Sequence, residues 1–217
     1  MKNYKMYATS INERYLDEIV EILKKGGIII YPTDSLYAIG CDALNNRAVE
    51  RVCRLKNINP AKQRLSMVCS GISQASDFAR IDNNAFRLLK SNLPGPFTFI
   101  LPASPKLAKA FKGRHEVGVR IPDNPIATRI AEALGNPLLS ASITSGKSDR
   151  SDMSDESDMP DGSDFLIHPE EIILHYDSSA DAMIDGGTAI GTPTAVVSLI
   201  DSSSPELLRE GPLPLAD

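Results

Sequence analysis

The residues best suited to chemistry crowd into one stretch, Gly26 to Cys41, which reads GGIIIYPTDSLYAIGC. Thr33, Asp34, Ser35 and Tyr37 follow directly on the β-branched run Ile28, Ile29 and Ile30. Such a run, bounded by turn residues, predicts a strand buried on both faces. Pro32 cannot donate to a sheet ladder, so pairing should stop there and leave backbone amides free among hydroxyls and a carboxylate. Polar groups at the exit of a buried strand are where many α/β proteins hold a ligand. The same residues also describe a strand end closed by an Asx or Ser/Thr turn, and spacing alone favours that plainer reading.

A second group is basic. Arg47, Arg51, Arg54 and Lys56 fall on one expected helix, and Lys62 and Arg64 follow in a loop. They describe either a solvated helix face or an anion site. Lys56 is expected at the helix end, away from its apolar side, so that losing it should cost little stability. Metal and redox chemistry find little support. His115, His168 and His175 have no ligand spacing and read as loop or helix-end residues. Cys41, Cys53 and Cys69 are odd in number and far apart, as buried thiols of a reducing compartment are.

Composition narrows the classes further. A chain of 217 residues, 42% hydrophobic, fits one domain with a sizeable core. No apolar run approaches the roughly 20 residues that a membrane helix needs. The N-terminus lacks the apolar region of a signal peptide, and a cytoplasmic location is expected. The net charge of -5 is unevenly spread. Seven acids against Arg150 lie between Asp149 and Asp164, and setting that stretch aside leaves 21 acids against 22 bases. The body is near neutral, and its positive charge is free to cluster. Thr144 to Asp164, rich in Ser and Asp, cannot offset its ordering entropy and is expected to be a mobile acidic loop. Its spacing fits no EF-hand.

The elements that must position these residues alternate. Ser10 and Glu13 suggest a capping box for a helix whose inward face is Leu16, Ile19, Val20 and Leu23, closed by Gly26. After the central strand and the PTDSLY turn, a helix is expected over Asn46 to Lys56, with Val49, Val52 and Leu55 inward. A strand over Leu65 to Cys69, helices near Ser73 and over Asn84 to Ser91, and a strand over Phe97 to Leu101 come next. A short helix over Pro105 to Phe111 and a strand over Val117 to Ile121 follow, with Arg120 facing away from its valines. Pro125 opens a helix that Gly135 closes, and Leu138 to Ser140 is a strand. A helix after Pro169 precedes strands over Ala182 to Asp185, Thr194 to Leu199 and Leu207 to Arg209. The alternation argues α/β.

IIIYPTDSLYAIG resembles the PTDTxYGLG signature of the YrdC family, which makes threonylcarbamoyl-adenylate for a tRNA modification. Lys56, PGPFTFIL from Pro94, VGVRIP from Val117, SAS from Ser140 and the REG ending at Gly211 match further, in the family's order. CRLK, NNAFRLLKSNLPGPFTFIL and RIPDNPIA resemble its YciO branch most. The resemblance implies one YrdC-like domain over residues 1–217: a twisted mixed sheet, helices on its faces and an open concave side. It also implies chemistry in which threonine, bicarbonate and ATP join and pyrophosphate leaves without a covalent enzyme intermediate. Such a site must supply proximity and positive charge.

Residue by residue, the resemblance assigns Lys56 to the lysine of KxR and Ser140 to the serine of SxN, as the catalytic pair. Thr33, Ser35, Tyr37, Thr98, Arg120, Ser142, Thr194 and Arg209 fall on substrate- or nucleotide-binding stretches, and Arg64 is the candidate to stand in for a lost arginine. ATP enters as a substrate, with Mg2+ as its companion left open, no protein metal site and no tightly bound cofactor. Three positions depart from the pattern. The KxR arginine is Ile58, the SxN asparagine is Ser142 and the last threonine of PTDT is Ser35. An aliphatic side chain makes no bidentate phosphate contact, a loss of about 3 kcal/mol or roughly a hundredfold in rate if that arginine serves the transition state. The expectation is a protein that binds ATP or AMP and RNA, weak in synthesis or acting on the same intermediate in reverse. The alternatives are a module for double-stranded RNA or tRNA without catalysis, and a nucleotide binder without chemistry.

Overall fold

The structure is a computed structural model and describes residues 1–59, 66–105, 115–145 and 165–216. The chain begins with strand β1 (Lys2–Lys5), helix α1 (Glu13–Lys24), strand β2 (Ile29–Tyr31), strand β3 (Ala38–Asp42) and helix α2 (Asn46–Leu55). Strand β4 (Ser66–Val68), helices α3 (Ile72–Phe78) and α4 (Asn83–Asn92), and strands β5 (Phe97–Pro102) and β6 (Glu116–Arg120) make up its middle. Helix α5 (Pro125–Leu134), strand β7 (Leu138–Ser142), helix α6 (Pro169–Tyr176) and strands β8 (Ala182–Asp185), β9 (Ala195–Ser198) and β10 (Glu206–Arg209) complete it.

All ten strands join one mixed sheet in the order β1-β8-β2-β3-β7-β4-β6-β5-β9-β10. The expected α/β class and mixed sheet are therefore present. β2 is the third strand from one edge, between parallel β8 and antiparallel β3, and its three residues are buried, as the isoleucine run requires. Pairing stops at Tyr31, one residue before Pro32.

Side chains alternate between two cores. Ile28, Ile30, Ile39, Met67, Phe97, Phe99, Val117, Val119 and Leu139 face one of them, which α2 closes with Val49 and Val52. Ile29, Tyr31, Ala38, Val68 and Leu138 face the other, closed by α1 and α5. Burying each large aliphatic side chain contributes roughly 1.5–3 kcal/mol, so the two cores dominate the stability.

Several expectations shift in detail. The first helix is capped by Asn12, whose side chain accepts from the Tyr15 amide at 3.2 Å, not by a Ser10 box; Ser10 instead turns back to the Tyr7 carbonyl. Its inward face is the expected one, and Gly26 leaves it at φ +82°. β1 and β3 were not expected. β1 is a charged edge strand, whose composition hides it. In β3, Ala38, Gly40 and Asp42 have weak strand propensity and surround the one strong strand former, Ile39. Gly40 is required there, because a Cβ would sit 2.2 Å from the Leu139 carbonyl oxygen. The helix expected over Pro105 to Phe111 lies almost wholly outside the described residues, as do Lys62 and Arg64.

Candidate active site

The residues around Pro32 form a tight polar turn. The Thr33 hydroxyl donates to the Leu36 carbonyl at 2.6 Å and accepts from the Ser35 amide at 3.2 Å, and its oxygen stands 3.1 Å from the Ser35 hydroxyl. The plain turn reading is thus correct for these hydroxyls, but the turn is also loaded with a cation. Arg120, at the end of β6, directs Nη2 at the Ser35 hydroxyl (3.0 Å), the Asp34 carboxylate (3.3 Å) and the Thr33 hydroxyl (3.4 Å). Arg120 and both hydroxyl residues are buried. Burial lowers the Arg120 pKa, and Asp34 opposes that shift. The second Asp34 oxygen accepts from the Asp123 amide at 2.9 Å.

Strand alternation explains why Arg120 points here. Val119 faces the α2 core, so Arg120 faces the opposite side of the sheet. Phe99 pairs with Val119, which leaves Thr98 and Arg120 at adjoining strand ends on that same side. Leu139 faces the α2 core, so Ser140 and Ser142 also lie opposite it. α1 and α5 cover only the part of this face that carries Ile29, Tyr31, Ala38, Val68 and Leu138. The polar residues occupy the remainder.

A second polar group completes the face. The Thr98 and Thr194 hydroxyls lie 2.9 Å apart. Arg209 donates through Nε to the Thr194 carbonyl at 3.0 Å and through Nη2 to its hydroxyl at 3.3 Å. Residues 98, 194 and 209, far apart in the chain, therefore form one cluster, because β5, β9 and β10 are neighbours. Burial and then the charge of Arg120 lower the Arg209 pKa. Two guanidinium groups at one end of an open face, with one carboxylate on Arg120, suit an anionic ligand.

Two buried polar atoms have no hydrogen-bond partner among the described residues, Arg120 Nε and Tyr31 Oη. Neither the motif nor the residue type marks Tyr31 as a site residue. Its signal was the alternation that sets it on the Arg120 face. Burial pushes its pKa up to about 12, with the nearby Ser140 hydroxyl and Arg120 charge pulling it down. The Ser140 hydroxyl is near enough to act on the phenol but is not in hydrogen-bond geometry with it.

The other assignments divide. Ser140 is buried and Ser142 exposed, both on the open face. Tyr37 is fully buried; its hydroxyl donates to the Gly187 carbonyl at 2.7 Å and accepts from the Gly186 amide at 3.0 Å. It anchors the segment beside Ser35, where the Gly191 amide donates to the Ser35 carbonyl at 3.1 Å. Lys56 is not a solvated helix end. It is 6% exposed, and its Nζ donates to the Thr144 hydroxyl at 2.9 Å, while the Tyr176 hydroxyl donates to the Thr144 carbonyl at 3.0 Å. Thr144 itself, expected to begin a mobile loop, is buried; residues 146–164 lie outside the described set. Ile58 packs against the α2 core. Arg51 pairs with Asp181 at 2.7 Å and serves the fold. Among the described residues no group of three His, Cys, Asp or Glu is placed to hold a metal ion, and no helix is long and apolar enough to cross a membrane.

Comparison with known proteins agrees with the fold. The Sua5/YciO/YrdC family model, described as Telomere recombination, matches residues 21–211. The chain is 38% identical to the YciO protein of Escherichia coli strain K12 over 202 residues, 92% of this chain and 90% of that one. Its structure is similar to the crystal structure of E. coli YciO at a TM-score of 0.82 and 35% identity, over 98% of this chain and 97% of that chain. It is also similar to P. abyssi Sua5 complexed with L-threonine, at a TM-score of 0.80 and 25% identity, over 99% of this chain and 58% of that one.

Proposed function

The chain belongs to the Sua5/YciO/YrdC family, and from that premise we propose that its open face binds an adenine nucleotide and threonine, or the threonylcarbamoyl-adenylate that joins them. The observation that carries this reading is the pair of buried or half-buried guanidinium groups, Arg120 and Arg209, facing hydroxyls of Thr33, Ser35, Thr98 and Thr194. Carboxylate and phosphate are the anions such donors fit. The threonine complex of the similar P. abyssi protein supports an amino acid as one ligand.

Arg120 neutralises an oxyanion beside the Thr33 to Ser35 turn. Arg209, held by Thr194, supplies a second positive charge across the face. Neither group forms a covalent bond to substrate; both lower the cost of charge developing as a carbamate oxygen attacks the α-phosphorus and pyrophosphate leaves, or as water attacks that phosphorus in the intermediate and breaks the carbamate O–P bond to release AMP and the threonine carbamate. Mg2+ would arrive with the nucleotide, held by its phosphates. The position that would hold a third cation carries Ile58, which packs half-buried against the α2 core. Synthesis should therefore be slow, and breakdown of the intermediate is the other reaction this face would serve.

Calorimetric titration with ATP, AMP and threonine tests binding. Pyrophosphate release from ATP, threonine and bicarbonate, beside breakdown of supplied threonylcarbamoyl-adenylate, tests the chemistry. Absence of binding and of both activities would overturn the reading. Retention of duplex RNA or tRNA in a gel shift by that inactive protein would favour the RNA-binding alternative.

A further inference from the structure

We infer that Asp34 is a positioning residue that sets the direction of the Arg120 guanidinium, an inference that rests on the reading of the site above. An acidic side chain in a face that attracts anions needs an account, because a carboxylate repels phosphate and carboxylate ligands. The Asp34 side chain is only 8% exposed, and its bonds are made to the protein. Its two oxygens are used differently. Oδ1 takes Arg120 Nη2, and Oδ2 takes the Asp123 amide three residues beyond Arg120. The carboxylate is thereby held at both ends and cannot rotate.

Arg120 is the opposite case. Nε makes no hydrogen bond among the described residues, so the direction of the fork depends on Nη2. Nη2 faces three oxygens with two N–H bonds to give, and Asp34 is the charged one. Charge-assisted bonds are about twice as strong as neutral ones. Thr33 and Ser35, both tied into their own turn, form the floor on which the fork lies, and Asp34 fixes its angle. Asn at position 34 has the same shape but one acceptor fewer, so it must abandon either Arg120 or the Asp123 amide.

The test uses the full chain as Asp34→Asn, Arg120→Lys and the double variant. The affinity for AMP and for threonine is measured by calorimetry, and the arginine Nε–H signals are followed in 1H–15N spectra, with Arg120→Lys assigning the Arg120 peak. Asp34→Asn should weaken binding about tenfold in the Arg120 protein and less than about twofold in the Arg120→Lys protein. The Arg120 peak should shift and broaden in Asp34→Asn. Equal weakening in both backgrounds overturns the inference, since a staple between two loops would act whether or not Arg120 is present. If the parent binds neither AMP nor threonine, the functional reading fails and the spectra still decide: an unchanged Arg120 peak in Asp34→Asn overturns the positioning role. Should Asp34→Asn fail to fold, Asp34→Glu keeps the charge, moves it by one methylene and is read in the same way.

Discussion

Asp34 and Arg120 meet at 3.3 Å although their strands are not neighbours. Three strands, β3, β7 and β4, separate β2 from β6, and in a flat sheet the two axes would stand about 19 Å apart. The turn after β2 and the Arg120 side chain must both lean over the open face for the contact to form. The contact therefore sets a carboxylate against a buried cation beside the open face. A second group, Thr98–Thr194–Arg209, gathers on the other side of β6 in the strand order without a carboxylate of its own.

Restoring the family pattern at two positions should have opposite outcomes. Ile58→Arg introduces a charge where an aliphatic side chain packs on the core, and we expect a loss of about 2 kcal/mol, a Tm lower by several degrees. Ser142→Asn, at an exposed site, should leave Tm unchanged. Pyrophosphate release should not rise in the double variant. A double variant that melts with the parent and releases more pyrophosphate would show that position 58 can turn into the cleft.

Lys56→Met should destabilise the fold rather than only weaken binding. The change removes the charge-assisted bond from Lys56 Nζ to the buried Thr144 hydroxyl at 2.9 Å, at a cost of about 1.5–3 kcal/mol. Urea melts of Lys56→Met, Thr144→Val and the pair measure it. The pair should cost less than the sum, because they share one bond.

Tyr31→Phe removes a buried hydroxyl that has no hydrogen-bond partner among the described residues, and should leave Tm unchanged or raise it. Its pH signature has a definite sign. Tyr4, Tyr31 and Tyr37 are all pushed up from 10.0 to about 12, chiefly by burial. Below about pH 10 both folded and unfolded chains keep these protons, and stability is intact. Between pH 10 and 12 the unfolded chain releases protons that the folded one holds, so stability falls. Denaturation midpoints across pH 9 to 12 should drop, with a shallower slope in Tyr31→Phe; a flat profile in the parent would contradict the burial of these phenols.

Thr194→Val keeps shape but deletes the hydroxyl that joins Thr98 to Arg209. AMP affinity should fall about fivefold, roughly 1 kcal/mol, and Tm should also drop, because the buried Thr98 hydroxyl loses its Thr194 partner although Arg209 retains the Thr194 carbonyl. Calorimetry on the two proteins checks it.

Local pattern determined much of this protein. The isoleucine run specified a buried strand, Pro32 its end, and the period of Leu16, Ile19, Val20 and Leu23 the face of α1, because periodicity and proline act within a few residues. Alternation along Val117 to Ile121 already turned Arg120 away from the core. Motif resemblance supplied Thr98, Thr194 and Arg209 as separate positions. Only the tertiary structure joined them, since strand order is a matter of pairing between residues nearly a hundred positions apart. It also decided burial where charge misled: Lys56 reads as a solvated helix end, yet α6 and the end of β7 close over it. Asp34 shows the same limit. A carboxylate after a strand is ordinary turn chemistry; that it faces an arginine from the far side of the sheet follows from the strand order and the lean of two loops, which no local pattern encodes.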